Sequence, residues 1–284
     1  MESIIKKASV LIEALPYIQS FRRKLFVIKF GGSILENAAI RKYIFEDLVF
    51  LSCVGIRTIL IHGGGPHITA RLKQAGIEAV FHEGIRVTDK HTLKIVSEEL
   101  NKLNLEIVNE IKALHGDVTG LKGYENVIYV RKKVASKDLG FVGEVMAINQ
   151  KAIENHLKMG KITVISPMGI CKAKQPYNIN ADEVASAIAT SMKAEKFIVL
   201  TNVRGVLRDP NNDNSLISTL TVDEIEQLKK NKIVQGGMIP KVNSCIQTLQ
   251  GGVHKTHIVD ARIQHAILLE IFTDLGVGTQ IIKK

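Results

Sequence analysis

The residues best suited to chemistry in this 284-residue chain begin with two glycine turns, Lys29-Phe30-Gly31-Gly32-Ser33 and His62-Gly63-Gly64-Gly65-Pro66. Each follows a short apolar run, Leu25–Ile28 or Thr58–Ile61, and precedes a helical pattern. Glycine lets the backbone approach a ligand closely and reach positive φ. A helix that starts behind such a turn aims unpaired N–H groups and its positive end at an anion. Two turns of this kind would hold two anionic groups side by side at the C-terminal edge of one sheet. Lys29, at the end of the first apolar run, either snorkels to solvent or adds a positive charge beside phosphates held at Gly31 and Gly32. Arg86, in Gly84-Ile85-Arg86-Val87-Thr88-Asp89, is either a surface residue or a guanidinium placed for bidentate capture of a carboxylate. In Asn178-Ile179-Asn180-Ala181-Asp182 three polar side chains precede an alanine-rich helix. An N-cap accounts for one of them, and Asp182 is suited either to orienting lysines or to holding a cation indirectly. Gly236-Gly237 opens a helix with Lys241 near its N-terminus, a position unfavourable to a cation unless an anion compensates it.

Composition narrows the setting. The formal charge is +10 and 45% of residues are hydrophobic. The basic excess fits a solvated surface and attraction of small anionic substrates. No aromatic-interleaved basic stripe or recognition-helix pattern points to nucleic acid. No apolar stretch reaches the roughly 18–20 residues that span a bilayer. Cys53, Cys171 and Cys245 are odd in number, widely spaced and without metal spacing, as expected for buried thiols in a reducing compartment. The nine histidines form no His-x-x-x-His pair, so no protein-built metal cage is expected. The N-terminus lacks the features of a signal peptide. Neither a Gly-x-x-x-x-Gly-Lys-Ser/Thr loop nor Gly-x-Gly-x-x-Gly is present, and there is no Gly-x-Ser-x-Gly elbow.

These groups must be positioned by a regular alternation of strands and helices. Strands are predicted at 25–30, 57–61, 162–166, 196–201 and 256–260, with a further short one around 203–207. Helices are predicted at about 38–54, 66–74, 89–114, 149–159, 181–192, 238–250 and 263–272. Residues 126–146 read as two β-rich segments, 167–177 as a connection between halves, and 209–214 as a surface loop. Thr221 and Glu224 have the spacing of a capping box that opens another helix. Repeated β–α units imply a three-layer α/β/α sandwich with a mainly parallel sheet. Ahead of it, Ile4, Ala8, Leu11, Leu15 and Ile18 make an apolar helical stripe over 4–21, with a kink or break expected near Leu15 because of Pro16. A detached amphipathic helix of this kind suits pairing between subunits.

At these residues the chain resembles the amino-acid kinase superfamily, and within it the acetylglutamate kinase family. The matching segments are IKFGGS at 28–33, HGGGP at 62–66, GIRVTD at 84–89, FVGEV at 141–145 and NINADEVA at 178–185. LTNVRGVL at 200–207, GGMIPKV at 236–242 and HAILLEIFTD at 265–274 complete the set. The resemblance implies phosphorylation of the γ-carboxylate of N-acetyl-L-glutamate by ATP, with Mg²⁺ carried on the ATP phosphates. It implies Lys29 and Lys241 as the catalytic cations, Asp182 as their organiser, and phosphate binding at Gly31 and Gly32. Gly64, Gly65, Arg86 and Asn178, with Asn180 beside them, would contact the substrate. Residues 25–174 would bind acetylglutamate and dimerise, 175–284 would bind ATP, and 126–146 would help to cover the substrate. The resemblance further implies arginine inhibition through Tyr17, Lys196, His257, Glu270 and Gly278, and an N-terminal helix (1–24) that interlaces three dimers into a homohexamer. The PII signal protein is an implied partner of relatives in photosynthetic lineages. The implied compartment is the cytoplasm, or the plastid stroma for a plastid-encoded chain. Asn202, His254 and Ala261 depart from residues common in the family. A kinase for a neighbouring acid such as acetylaminoadipate, and a non-catalytic arginine sensor, are the competing readings.

Overall fold

A computed structural model describes residues 2–209, 211–274 and 276–283, with side chains at 2–4 and 6–8 left aside. The elements are α1 (Glu2–Phe21), β1 (Leu25–Phe30), α2 (Ala38–Cys53), β2 (Arg57–His62), α3 (Gly65–Gln74), β3 (Phe81–His82), β4 (Ile85–Arg86) and α4 (Lys90–Ala113). Next come β5 (Val118–Lys122), β6 (Ile128–Lys132), β7 (Gly143–Ile148), α5 (Gln150–Lys158), β8 (Ile162–Ser166), β9 (Met168–Ile170) and β10 (Pro176–Asn178). The chain continues with α6 (Ala181–Ser191), β11 (Lys196–Thr201), β12 (Thr219–Thr221), α7 (Val222–Lys230), α8 (Met238–Gln250), β13 (Lys255–Asp260), α9 (Ala266–Ile271) and β14 (Thr279–Ile282).

One eight-stranded sheet carries the fold, in the order β12-β14-β13-β11-β1-β2-β8-β5. Every pairing in it is parallel except β13 with β14. Alternation along β1 sends Leu25 and Val27 to one face and Phe26, Ile28 and Phe30 to the other. The first face packs on α5, α6 and α8 through Ile153, Val184, Ile188, Cys245 and Leu249. The second packs on α2, α4 and α9 through Phe45, Leu48, Ile107, Ile111 and Ile267. Both faces of the strands are therefore apolar, as a parallel sheet under two helical layers requires. This is the expected α/β/α sandwich.

β1 lies between β11 and β2, with Phe30 level with both Leu200 and His62. That register brings the ends of three strands together, and the glycine turns leave the sheet there. A second sheet, β10-β9-β6-β7, stands beside the first. The β-rich reading of 126–146 is its antiparallel β6–β7 pair.

Several expectations need correction. The stretch 167–177 is the antiparallel pair β9–β10 rather than a plain connection. Residues 203–207 form no strand; Leu207 makes only an isolated bridge to Leu216. The last helix is six residues, shorter than 263–272. β5, β12 and β14 were not foreseen. α1 is continuous through Pro16, so the expected break is absent. Pro16 forfeits one main-chain hydrogen bond while the turns on either side persist. Of the stripe on α1, Leu11 and Leu15 are exposed, and Ile4 and Ala8 lie outside the described side chains. Pro210 in the 209–214 loop is outside the described residues too. The capping box at Thr221 and Glu224 is formed as expected.

Candidate active site

The site begins where β1 and β2 end. Gly63 N donates to Phe30 O at 2.8 Å, carrying the pairing past the strands and pressing the two turns together. A Cβ on Gly31 would stand 3.2 Å from both Cα and N of Gly63. Since both obstacles are backbone, a Cβ here would force the two turns apart by a few tenths of an ångström, and glycine is favoured by this close approach. Gly32 has φ +79, the left-handed region that favours glycine. The first turn leads into a short 3₁₀ turn, Gly32–Glu36, and α2 starts only after Asn37 caps it. The second turn meets the original expectation more closely, because α3 starts at Gly65 with Gly64 as its N-cap.

Two clefts meet at Lys29 on this edge, beside a cavity of about 790 Å³ lined by Asn180, Asp182, Pro240 and Ser244 among others. The larger cleft, about 210 Å³, is lined by Lys29, Gly64, Gly65, Arg86, Asn178, Asn180 and Asp182 among others. The smaller, about 150 Å³, is lined by Lys29, Gly31, Gly32, Thr201, Asn202 and Lys241. Lys29 belongs to both walls. Its Nζ lies 3.0 Å from Asp182 Oδ1, in the first turn of α6. Lys241 Nζ donates to Gly237 O at 2.7 Å. Burial lowers the pKa of Lys241, and the nearby Lys29 charge pushes it the same way, against Asp182. Asp182 thus pairs directly with Lys29 and acts on Lys241 through its field.

Arg86 is buried. Its Nη2 donates to Gly65 O at 3.1 Å and to Thr69 Oγ1 at 2.8 Å. Its guanidinium lies 4.6 Å from the Phe81 ring centroid. Nη1 is buried with no hydrogen-bond partner. Burial lowers the Arg86 pKa, yet a guanidinium remains charged at any working pH. A buried cation with a spare donor arm in a cleft wall is a site for an anion. Asn178 donates to Thr88 Oγ1 at 3.2 Å, and Thr88 in turn to Arg86 O at 2.9 Å. Asn180 caps α6 by accepting from Asp182 N at 2.8 Å, so its oxygen does structural service while the residue lines the cleft.

Residues 24–260 match the amino acid kinase family. Acetylglutamate kinase of Desulforamulus reducens is 48% identical over 285 residues, covering 99% of each chain. That of Synechococcus elongatus is 44% identical, covering 97% of this chain and 92% of its own. The chain belongs to the amino acid kinase family, in its acetylglutamate kinase branch. It is an enzyme of the kinase class. Among solved structures, an N-acetylglutamate synthase from Neisseria gonorrhoeae complexed with coenzyme A and N-acetyl-glutamate superposes with a TM-score of 0.86 at 25% identity. This kinase covers 63% of that longer chain. Carbamate kinase from Giardia lamblia bound to AMP-PNP shares the fold, with a TM-score of 0.67 at 18% identity over 92% of this chain and 99% of its own.

The remaining candidates of this kinase lie away from both clefts. Lys196 Nζ is 3.1 Å from His257 Nε2, and His257 Nδ1 is 2.7 Å from Glu270 Oε1. Glu270 Oε2 accepts from Val277 N at 2.8 Å and Gly278 N at 2.9 Å. Burial lowers the Lys196 pKa to about 8 and depresses that of His257. Burial alone would raise Glu270, but His257 and the two amides outweigh it and hold the carboxyl below its ordinary value. Gly278 has no room for a Cβ, which would stand 2.3 Å from Ile258 O. Tyr17 reaches the same end of the molecule from α1, donating to Asp274 and lying edge-on to Phe272.

Sequence reading singled out neither Thr88, in the loop before α4, nor Thr69, on α3, whose hydroxyls meet Arg86 only in the folded chain. It also assigned no role to His62, although the residue opens the HGGG turn. Its histidine at the end of an otherwise apolar strand was the available signal.

Proposed function

We propose that this kinase transfers the γ-phosphoryl group of ATP to the side-chain carboxylate of N-acetyl-L-glutamate, in arginine biosynthesis. One observation carries the reading: the buried, half-satisfied Arg86 guanidinium shares a cleft with the glycine amides and with Lys29. A dicarboxylate fits that arrangement, one carboxylate on Arg86 and the other presented at Lys29. The names of the relatives at 42–48% identity support the same acceptor, as does the N-acetyl-glutamate held by the similarly folded synthase.

The chemistry needs no general base. A carboxylate with an ordinary pKa of about 4.3 is already ionised at neutral pH. Its oxygen attacks the γ-phosphorus, the bond to the β,γ-bridging oxygen breaks, and an acyl phosphate and ADP result. Catalysis is then positioning and charge stabilisation. Lys29 and Lys241 neutralise the transferring group, Asp182 holds Lys29, and the amides around Gly31 and Gly32 hold phosphate. Asp182 is the one acidic side chain lining either of the two clefts among the described residues. It is already paired to Lys29, so Mg²⁺ enters on the ATP phosphates. The ATP phosphates occupy the smaller cleft, and residues 175–284 bind the rest of the nucleotide. Acetylglutamate occupies the larger, built mainly from 25–174, with Asn178, Asn180 and Asp182 reaching across. The test is ATP-dependent hydroxamate formation with hydroxylamine, offering acetylglutamate, acetylaminoadipate, aspartate and UMP. Selective use of acetylglutamate supports the assignment, and preference for another acceptor overturns it.

Arginine inhibition is the second reading, favoured by the buried Lys196–His257–Glu270 chain beyond the clefts. Tyr17 ties α1 to that region, which gives a ligand there a path to the N-terminal helix. Glu270 already accepts three hydrogen bonds, two of them on Oε2, so a guanidinium can take the remaining lone pair of Oε1, and only a bidentate pair must displace an existing bond. Exposed Val10, Leu11, Ile12 and Leu15 on α1 suit the interlacing of three dimers into a hexamer. PII binding would act by relieving the same inhibition. The working compartment is the cytoplasm, or the stroma for a plastid-encoded chain. Turnover that ignores arginine discards the inhibitor site and keeps the enzyme.

A further inference from the structure

The polar core behind the second glycine turn has no part in the scheme above. His62, the last residue of β2, is fully buried, and Asn104 from α4 is nearly so. Two polar side chains in an apolar core are costly unless every donor and acceptor is met. Here the Asn104 amide nitrogen and both ring nitrogens of His62 have partners. Asn104 Nδ2 lies 3.2 Å from His62 Nε2 and donates to Val164 O at 3.3 Å. Val164 O can only accept, so the amide nitrogen must be the group on that side, and its second proton goes to the ring. Nε2 is therefore the acceptor, and the ring proton sits on Nδ1, 3.0 Å from Gly63 O. Burial lowers the His62 pKa to about 4, which keeps the ring neutral at working pH. Asn104 reaches this position because residue 120 on β5 is glycine; a Cβ there would stand 2.2 Å from Asn104 Oδ1.

We propose that His62 and Asn104 are positioning residues that aim the Gly64 amide into the substrate cleft. The peptide joining Gly63 to Gly64 is planar and trans, so its C=O and N–H point in opposite directions. Holding the Gly63 carbonyl on Nδ1–H, on the core side, turns the Gly64 N–H away from the core. That amide stands at the N-terminus of α3, where it has no intrahelical partner. The chain of orientation runs from Asn104, which fixes the tautomer, through His62 to the peptide plane. For its substrate readout the inference rests on the reading that this cleft takes acetylglutamate.

The two ring nitrogens can be tested separately. In His62→Asn the side-chain amide approximates Nδ1 and keeps a donor for Gly63. In His62→Gln it approximates Nε2, keeps Asn104 and loses the Gly63 contact. His62→Gln should raise KM for acetylglutamate roughly ten-fold, the scale of one lost hydrogen bond. KM for ATP should stay within about two-fold, and His62→Asn should recover most of the affinity. Spectra of [¹⁵N]glycine-labelled full-length enzyme without substrate should show the Gly64 amide displaced in His62→Gln and little moved in His62→Asn. If His62→Gln does not fold, Asn104→Leu, which frees the tautomer, should raise the same KM and displace the same resonance. Equal KM values and equal glycine spectra in the two His62 variants would overturn the proposal. For the replacement variant, an unchanged KM and an unmoved Gly64 resonance would do so. Failure of the wild type to use acetylglutamate would overturn the substrate reading instead, and the glycine spectra would still decide the role of His62.

Discussion

Replacing Arg86 tests the substrate assignment most directly. Nη2 is spent on Gly65 O and Thr69 Oγ1, so Nη1 is the arm left for a ligand. A charge-assisted hydrogen bond is worth about 1.5–3 kcal/mol, which corresponds to about 10- to 150-fold in kcat/KM. Arg86→Lys keeps the charge and loses the fork, and the loss should fall in that range. Arg86→Met also strands the substrate carboxylate in a dry cleft. Removing one partner of a buried pair costs about 2–5 kcal/mol, so the loss should reach about 30- to several thousand-fold. Hydroxamate formation is measured at varied acetylglutamate with ATP saturating. The same series is then run with the analogue whose α-carboxylate is a carboxamide. If Arg86 pairs with the α-carboxylate, the two changes remove one interaction, and their combined cost is far below the sum. Strictly additive losses, or a KM unmoved by Arg86→Lys, would refute the pairing and with it the orientation of the substrate.

Lys29→Ala and Lys241→Ala should each lower kcat by about 10²-fold or more, the scale of losing one preorganised group that stabilises transition-state charge, with the thermal midpoint little changed. Normal turnover in either variant would remove that lysine from the mechanism. Because burial and Lys29 lower the Lys241 pKa, activity should decline on the alkaline side earlier than for an ordinary lysine, and Lys241→Arg should abolish that limb in a pH–rate profile. Gly31→Ala forces a methyl against the Gly63 backbone, so it should cost about 1–3 kcal/mol of stability by thermal or denaturant unfolding, together with activity. Asp47 is buried and accepts from Ile267 N and His265, and burial raises its pKa to about 6. A carboxyl whose folded pKa is raised gives stability that is full below the unfolded value and lost as pH rises through the folded one. Relative to Asp47→Asn, the wild-type midpoint should therefore fall by about 3–6 °C between about pH 4 and pH 6; parallel curves would exclude the effect.

What the sequence makes legible follows the range of the interaction. The second glycine turn and the Thr221–Glu224 box are set within a few residues and stand where they were read, and the N-cap left open among Asn178, Asn180 and Asp182 falls to Asn180. α4 was legible because Leu93, Val96, Leu100, Leu103, Ile107 and Ile111 repeat at helical spacing over 24 residues. β9, β10, β12 and β14 were missed because each has three or four residues and exists only by pairing with distant chain. β5 contains Gly120, which weakens a strand pattern, and the reason for that glycine is a side chain on α4. The catalytic group was assembled from motif matches, while the Lys29–Asp182 contact itself depends on α6 packing across β1. The buried His62–Asn104 pair was illegible because neither residue's neighbours in sequence reveal its partner.

The central place of β1 also governs how the molecule can be made. Its partner β11 emerges from the ribosome long after β2 and β8, so one side of Leu25-Phe26-Val27-Ile28-Lys29-Phe30 stays open through most of synthesis. Non-local pairing of this kind is slow, and an apolar strand with a free edge is an aggregation hazard while it waits. A fragment ending near residue 174 would keep β5-β8-β2-β1 and present that edge permanently. Residues 25–174 and 175–284 are therefore not separable folding units, because β1 pairs with strands from both. Loss of solubility on truncation near residue 174 is the expected cost of seating β1 between β2 and a strand made so much later.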